Sequence, residues 1–141
     1  MSKVSEEEII KVLKKHRLKV TPQRLSICKI VLSSTEHPSA DQVYNLVKKV
    51  HKTMSLATVY KTLNLLEHIG LVNELRFNGD FTRYDPKSTL HINIVCPKCM
   101  KIKDYESDKL KENWKQIIAE IRGEIKGQRI DVYVICEDCY S

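Results

Sequence analysis

Four of the five cysteines form two Cys-x-x-Cys pairs in the C-terminal part of the chain. The pairs are Cys96 with Cys99 and Cys136 with Cys139, and 36 residues separate them. Each pair can place two sulfurs on one tight turn, and two such turns complete a tetrahedral shell that suits Zn²⁺. Because four protein ligands leave no open position, the predicted role of the ion is structural. Four buried cysteines without a metal are the alternative.

A second set of possible ligands is scattered along the chain. The set comprises His37, Asp85, His91 and Asp104. Imidazole and carboxylate groups together suit divalent ions of hard or borderline character. Each residue also has an ordinary interpretation as part of a loop, a strand end or a solvated surface. The spacing alone does not connect the four, so a second metal site stays open on the residues alone.

The segment that begins at Ser55 has the pattern of an amphipathic helix. At 100° per residue, one side is predicted to be buried and carries Leu56, Val59, Leu63 and Leu66. The other side carries Ala57, Thr58, Lys61 and Asn64, with Tyr60 at the boundary. Small side chains allow a helix to approach base edges in a major groove, and a lysine can reach a guanine or a phosphate. An ordinary surface helix is the competing interpretation.

Positive charge is concentrated in the first half of the chain. The whole chain has a net charge of +6, and residues 1–85 carry 14 Lys and Arg against 9 Asp and Glu. No acid occurs from Lys11 to Thr35. Such a stretch is typical of a surface that faces phosphates, although solvated lysine-rich helix faces are also common. The candidate phosphate contacts are Lys14, Arg17, Lys19 and Arg24, with Arg76 from a later hairpin.

The order of the expected elements indicates an α+β protein with an N-terminal winged helix-turn-helix. Helices are predicted to start at caps Ser5, Thr21, Ser39 and Ser55, the last ending at Gly70. A hairpin with its turn at Asn78-Gly79-Asp80 should follow. The later elements should be strands at 91–95, 102–105 and 129–135 and a helix from Asp108 to about Lys126. The expected organisation is a DNA-binding domain at 1–85, a linker at 86–90 and a zinc-stabilised α/β dimerisation domain at 91–141.

Several functional classes are excluded by composition. No apolar run approaches the roughly 20 residues that cross a bilayer, and the first residues are too polar and acidic for a secretory signal. We therefore expect no membrane association and a cytoplasmic location. A metallohydrolase using His91 and Asp104 would lack an identifiable general base, such as an H-E-x-x-H helix. The chain is therefore not expected to be an enzyme.

Taken in order, the motifs resemble the ferric uptake regulator (Fur) family over nearly the whole chain, and most closely its peroxide-responsive branch. The motifs are R-L-K-V-T-P-Q-R from Arg17, H-P-S-A-D-Q-V-Y from His37, S-L-A-T-V-Y-K-T-L from Ser55, G-L-V from Gly70, R-Y-D from Arg83, H-x-x-x-V-C-x-x-C from His91, and C-x-x-C from Cys136. The resemblance implies a metal-responsive transcription regulator that works as a homodimer. It also implies a winged helix followed by an α/β dimerisation domain with Zn²⁺ on the four cysteines.

The resemblance further implies a regulatory site for Mn²⁺ or Fe²⁺. His37, Asp85, His91 and Asp104 match four of its five positions, and Asn93 stands at the fifth, which is usually histidine. An ion held by both domains would fix their angle and so gate binding to a pseudo-palindromic operator in double-stranded DNA, with repression the expected outcome. The alternative is a metal-insensitive transcription factor with a purely structural zinc module.

Overall fold

The computed structural model describes residues 4–77, 82–86, 89–125 and 127–140 and divides into two compact units, Met1–Ser88 and Thr89–Ser141. The first unit contains α1 (Glu6–Lys15), α2 (Pro22–Leu32), α3 (Ala40–Lys48), α4 (Leu56–His68), β1 (Asn73–Arg76) and β2 (Thr82–Asp85). The second contains β3 (Ile92–Val95), β4 (Ile102–Tyr105), α5 (Asp108–Glu120), β5 (Ile130–Tyr133) and α6 (Glu137–Tyr140). The order confirms the predicted α+β fold with a helical first half.

Side-chain caps set the starts of the first four helices, as the sequence predicts. The caps are Ser5, Thr21, Ser39 and Ser55. Each side-chain oxygen accepts a hydrogen bond from the backbone N–H three residues later, which satisfies one of the donors exposed at a helix start. Glu8 and Gln42 return the bond to the cap backbone, so α1 and α3 begin with complete capping boxes.

The core of the first unit forms where α4 packs against the preceding helices. Val59, Leu63 and Leu66 are buried, as the helical pattern predicts, but Leu56 is only half-buried because it lies in the first turn. Thr62 is also buried, and its hydroxyl donates to the Thr58 carbonyl oxygen at 3.0 Å, which satisfies it inside the core. One face of α4 is therefore fixed by packing, and the opposite face is left for solvent or a partner.

Strands β1 and β2 pair antiparallel directly after α4. The chain leaves helix α4 through Gly70, whose φ of +80° is easily reached by a residue without a Cβ. In the hairpin that follows, Asn73 pairs with Asp85. The predicted Asn78-Gly79-Asp80 turn lies outside the described residues. The Tyr84 backbone N–H donates to the Pro38 carbonyl oxygen at 3.0 Å. This bond ties β2 to the loop that precedes α3.

The second unit is a three-stranded sheet in the order β4-β3-β5, with β3 antiparallel to β4 and parallel to β5. Helix α5 lies between β4 and β5 in sequence and is capped by Ser107. It ends at Glu120 rather than near Lys126, because Ile121 is extended and Gly123 has a φ of +122°. The short helix α6 carries Cys139 and was not predicted from the sequence.

Helix α5 and the end of β5 expose large apolar side chains. No residue of α5 is buried, and Ile117 on α5 and Tyr133 at the end of β5 are 45% and 58% exposed. Exposed apolar side chains on these elements are candidates for an interaction surface. None of the helices in the described ranges combines the length and apolar character needed to cross a membrane.

The packing of α4 predicts unequal effects of two leucine truncations. Leu63→Ala should lower the free energy of unfolding by about 2–5 kcal/mol, because Leu63 is fully buried. Leu46→Ala, at a site that is 46% exposed, should cost less than about 1 kcal/mol. Urea denaturation of the zinc-loaded protein, followed by far-ultraviolet circular dichroism, measures both. Equal losses would contradict this description of the core.

Candidate functional site

The four paired cysteines come together within the second unit. One ligand atom from each lies within 4.8 Å of those of the others, and the Cys99 and Cys136 sulfurs are 3.7 Å apart. A tetrahedral zinc with Zn–S bonds of about 2.3 Å has sulfur–sulfur edges of about 3.8 Å. The donor set and its spacing therefore fit Zn²⁺.

Backbone geometry explains how the first cysteine pair reaches this position. Cys96 follows β3, and its carbonyl oxygen accepts a hydrogen bond from the Met100 N–H at 2.8 Å, which closes the turn. Met100 has a φ of +64°, a left-handed conformation that glycine usually takes. The turn is thus held in place despite local backbone strain, a feature that the sequence pattern did not reveal.

The sulfurs differ in their readiness to ionise. The Cys136 backbone N–H donates to the Cys96 sulfur and lowers the pKa of Cys96 to about 6. Hydrogen bonds among the sulfurs, chiefly with Cys136, raise the pKa of Cys139 to about 12. One thiolate therefore forms readily, whereas closely spaced neighbours resist ionisation until a cation balances their charge. This behaviour suits a metal-binding cluster.

Cys28 does not belong to the cluster. It is fully buried on α2, and burial raises its pKa to about 11. A protonated, inaccessible thiol behaves as a small apolar core residue.

In the first unit, the structure brings His37 and Asp85 together. The His37 Nε2 lies 3.4 Å from an Asp85 carboxylate oxygen, and the side chains are 1% and 2% exposed. His37 has a φ of +52°, and its carbonyl oxygen accepts a hydrogen bond from Arg83 Nη1 at 3.1 Å. Backbone strain at a buried polar pair is characteristic of a functional position. The pair offers one nitrogen and one oxygen donor on a rigid loop and strand end.

In the second unit, the ring nitrogens of His91 have distinct roles. Nδ1 lies 2.7 Å from the Thr89 carbonyl oxygen, which can only accept, so Nδ1 carries the proton. In the neutral ring, Nε2 then presents a lone pair. It faces the Asn93 Oδ1 at 3.1 Å and an Asp104 oxygen at 3.5 Å.

Three electron-rich atoms therefore converge at this point of the second unit. Their mutual repulsion is relieved by a cation, and a histidine whose other nitrogen donates to a carbonyl has the usual arrangement of a metal ligand. The residues present fit a divalent ion.

A carboxylate that sequence reasoning missed completes this arrangement. Asp131 on β5 accepts a hydrogen bond from the Asn93 Nδ2 at 3.1 Å, and Arg129 contacts both oxygens of Asp131. Asn93 is directly opposite Asp131 in the parallel register and opposite Asp104 in the antiparallel one. Only the strand order reveals this neighbourhood, because Asn93 and Asp131 are distant in sequence.

The outward face of α4 carries the predicted small and polar side chains. Ala57, Tyr60, Lys61 and Asn64 are exposed. Thr58 is half-buried, and its hydroxyl is 2.8 Å from that of the exposed cap Ser55. This face therefore has small side chains in the first turn of the helix and a cation, Lys61, one turn later.

A polar cleft adjoins this face of α4. Its volume is about 470 Å³, and its lining includes Tyr60 and Asn64 on α4 and Arg76 on β1. Arg76 is highly exposed and donates from Nε to the Glu74 carboxylate at 2.9 Å. A guanidinium is thus held beside the exposed face of the helix.

The remaining basic candidates lie around α1 and α2. Lys14, Arg17 and Lys19 are exposed, and Arg17 has a φ of +59° where α1 turns away. Arg24 is half-buried and donates from Nη1 to the Lys19 carbonyl oxygen at 2.6 Å. Arg24 therefore shapes the loop that presents Lys19, a role that charge counting did not indicate.

Comparisons with known proteins agree with this architecture. The model of the ferric uptake regulator family matches residues 15–133. The peroxide-responsive repressor PerR of Staphylococcus epidermidis is 33% identical over 134 residues, which cover 94% of this chain and 89% of that protein.

Solved structures give the same result. The Campylobacter jejuni peroxide stress regulator is 40% identical, with a TM-score of 0.74 and coverage of 94% of this chain and 99% of the other. The manganese-containing ferric uptake regulator of Pseudomonas aeruginosa is 28% identical, with a TM-score of 0.78 and coverage of 91% and 97%. By its sequence, its fold and its match to the family model, the chain belongs to the ferric uptake regulator family.

Proposed function

We propose that this protein is a metal-responsive transcriptional repressor that binds double-stranded DNA. The observation that carries the proposal is the convergence of the His91, Asn93 and Asp104 donor atoms within the second unit. The first unit holds a donor pair of its own in the buried His37 and Asp85. An imidazole nitrogen, an amide oxygen and a carboxylate oxygen that face one another in this way suit a divalent cation. Relatives of the chain are regulators by name, one of them solved with manganese.

Helix α4 is the proposed reading element. Its outward face lets the backbone approach base edges, and Tyr60, Lys61 and Asn64 can contact bases or phosphates. The backbone N–H groups at the Ser55 end favour a phosphate, and Arg76 extends the contact onto the duplex. The exposed lysines near α1 supply further contacts that are independent of sequence.

The four cysteines hold a structural Zn²⁺ in this proposal. Cys96 and Cys99 lie at the end of β3, whereas Cys136 and Cys139 follow β5. Joining the two turns links the ends of the neighbouring strands β3 and β5 and so stabilises a small sheet that has little buried core of its own.

The regulatory ion is proposed to take ligands from both units. His37 and Asp85 would bind it from the first unit, and His91, Asn93 and Asp104 from the second. The ion would be Mn²⁺ or Fe²⁺, and it supplies the positive charge that couples the two sets of donors. His37 lies two residues before the cap of α3, and Asp85 is the last residue of β2. Both therefore adjoin elements of the proposed DNA-binding unit.

We propose that the chain acts as a homodimer on a pseudo-palindromic operator, paired through the apolar faces of β5 and of α5 with the residue that follows it. These faces include Ile117, Ile121 and Val132, all at least 42% exposed. Pairing them with a second copy would remove apolar surface from water. Two α4 helices could then enter successive major grooves about 34–36 Å apart, which compensates for the few bases that one helix reads.

The reading face predicts selective losses of DNA affinity. Lys61→Ala and Tyr60→Ala should each weaken binding to the preferred operator by about 1–3 kcal/mol if they contact bases. Loss of a phosphate contact would instead weaken all sequences and reduce the salt slope by about 1. Fluorescence anisotropy, on an operator selected from random duplexes with native protein and Mn²⁺, measures both. Lys109→Ala on α5 is the control, and unchanged binding by both α4 variants would move the interface elsewhere.

The metal site predicts a variant without metal response. Native protein should bind the operator more tightly when Mn²⁺ is added, whereas His37→Ala should bind equally with and without Mn²⁺ because one buried donor is lost. His68→Ala, an exposed position at the end of α4, is the matched control. Equal affinity of native protein and His37→Ala in both conditions would remove metal control while leaving DNA binding intact.

The two classes of cysteine predict a stepwise thiol titration. In the zinc-loaded native protein, a thiol reagent at pH 8 should modify few thiols. After a chelator removes the zinc, the four thiols of the cysteine cluster should react with the reagent. Cys28 should react only after unfolding, because it is fully buried and its pKa of about 11 keeps it protonated. Cys28→Ala should leave the first four reactions unchanged. A fifth reactive thiol in the folded protein would contradict the assignment.

A further inference from the structure

We propose that Asp131, braced by Arg129, is a positioning residue that aims the Asn93 amide oxygen at the regulatory ion and so biases the site toward Mn²⁺ over softer divalent ions. The inference rests on the proposed function, since it concerns the same site. Asp131, Arg129, Asn93 and His91 all belong to the second unit.

The sheet places the relevant groups in one row. Asn93 is on the central strand β3, with Asp104 opposite it on β4 and Asp131 opposite it on β5. Partners in register share one face of a sheet, and His91 lies two residues before Asn93 on that same face. An amide thus stands between two carboxylates, and its orientation decides which of its atoms faces the ion.

The hydrogen bonds fix that orientation. An ionised carboxylate can only accept, so Asp131 must face the NH₂ group of Asn93, and the Nδ2–oxygen distance is 3.1 Å. The Asn93 oxygen consequently faces the His91 Nε2 at 3.1 Å. The opposite rotation would place the amide oxygen against the Asp131 carboxylate, where two acceptors repel each other.

Arg129 makes Asp131 a stable anchor. Its Nε is 3.1 Å from one carboxylate oxygen and its Nη2 is 2.7 Å from the other. A two-pronged guanidinium contact holds the carboxylate in one geometry. It also balances the charge of Asp131, so the aspartate orients Asn93 without adding a net charge beside the ion.

The oriented oxygen changes the donor set. With Asn93 as ligand, the second unit offers one imidazole nitrogen, one amide oxygen and one carboxylate. Zn²⁺ and other late transition ions gain more from an imidazole than Mn²⁺ does, whereas carbonyl and carboxylate oxygens suit Mn²⁺. An oxygen ligand at position 93 therefore reduces the difference in binding affinity by which these ions exceed Mn²⁺.

The test measures metal affinity directly, without DNA. Protein with its cysteine site filled by Zn²⁺ is titrated with Mn²⁺, followed by electron paramagnetic resonance, and with Zn²⁺ in competition with a chromophoric chelator. Asp131→Ala should weaken Mn²⁺ binding roughly 10- to 100-fold, the usual effect of removing a group that orients a ligand. Asn93→His should raise the ratio of Zn²⁺ to Mn²⁺ affinity at least about tenfold.

Glu112→Ala, an exposed carboxylate loss on α5, is the matched control and should change neither affinity. Unchanged Mn²⁺ affinity in Asp131→Ala, or an unchanged metal ratio in Asn93→His, would overturn the inference and leave Asn93 a structural pin. Failure of native protein to bind operator in response to Mn²⁺ would instead refute the proposed function. Because the two readouts are independent, the failures are distinguishable.

Discussion

The arrangement of His91 rests on one electrostatic constraint, the repulsion among lone pairs that the fold forces together. The Thr89 carbonyl fixes the proton on one ring nitrogen, and the sheet register sets an amide oxygen and a carboxylate before the other. A protein tolerates such an arrangement when a positive charge is available to occupy it. A cation bound at this point would therefore also stabilise the local structure, because it balances the acceptor atoms that converge there.

In the first unit, the His37–Asp85 pair lies between the start of α3 and the end of the hairpin. His37 leads through Pro38 to the cap of α3, while Asp85 ends the strand whose Tyr84 bonds to Pro38. Arg83 also donates to the His37 carbonyl oxygen. A displacement of either side chain would therefore move the start of α3 and the end of the hairpin together, because packed elements move as units rather than deforming continuously.

Local signals in the sequence predict much of this structure. Ser39 and Ser55 identify helix starts because capping depends on neighbouring residues, and the Cys-x-x-Cys spacing identifies a sulfur cluster for the same reason. The early end of α5 depends on the backbone at Gly123, and the role of Asp131 depends on the parallel pairing of distant strands. Non-local pairing leaves no short-range pattern, so the sequence could offer candidate metal ligands but could not indicate Asp131, which bonds to Asn93.

The exposed isoleucines on α5 and directly after it affect how stable the protein is in a cell. Because the second unit has a small buried core, its folded state depends on a partner that covers Ile117 and Ile121. If a second copy provides that cover, mass action links folding to abundance. Newly made chains would then be the most vulnerable to proteases, and the regulator would set a lower limit on its own useful copy number.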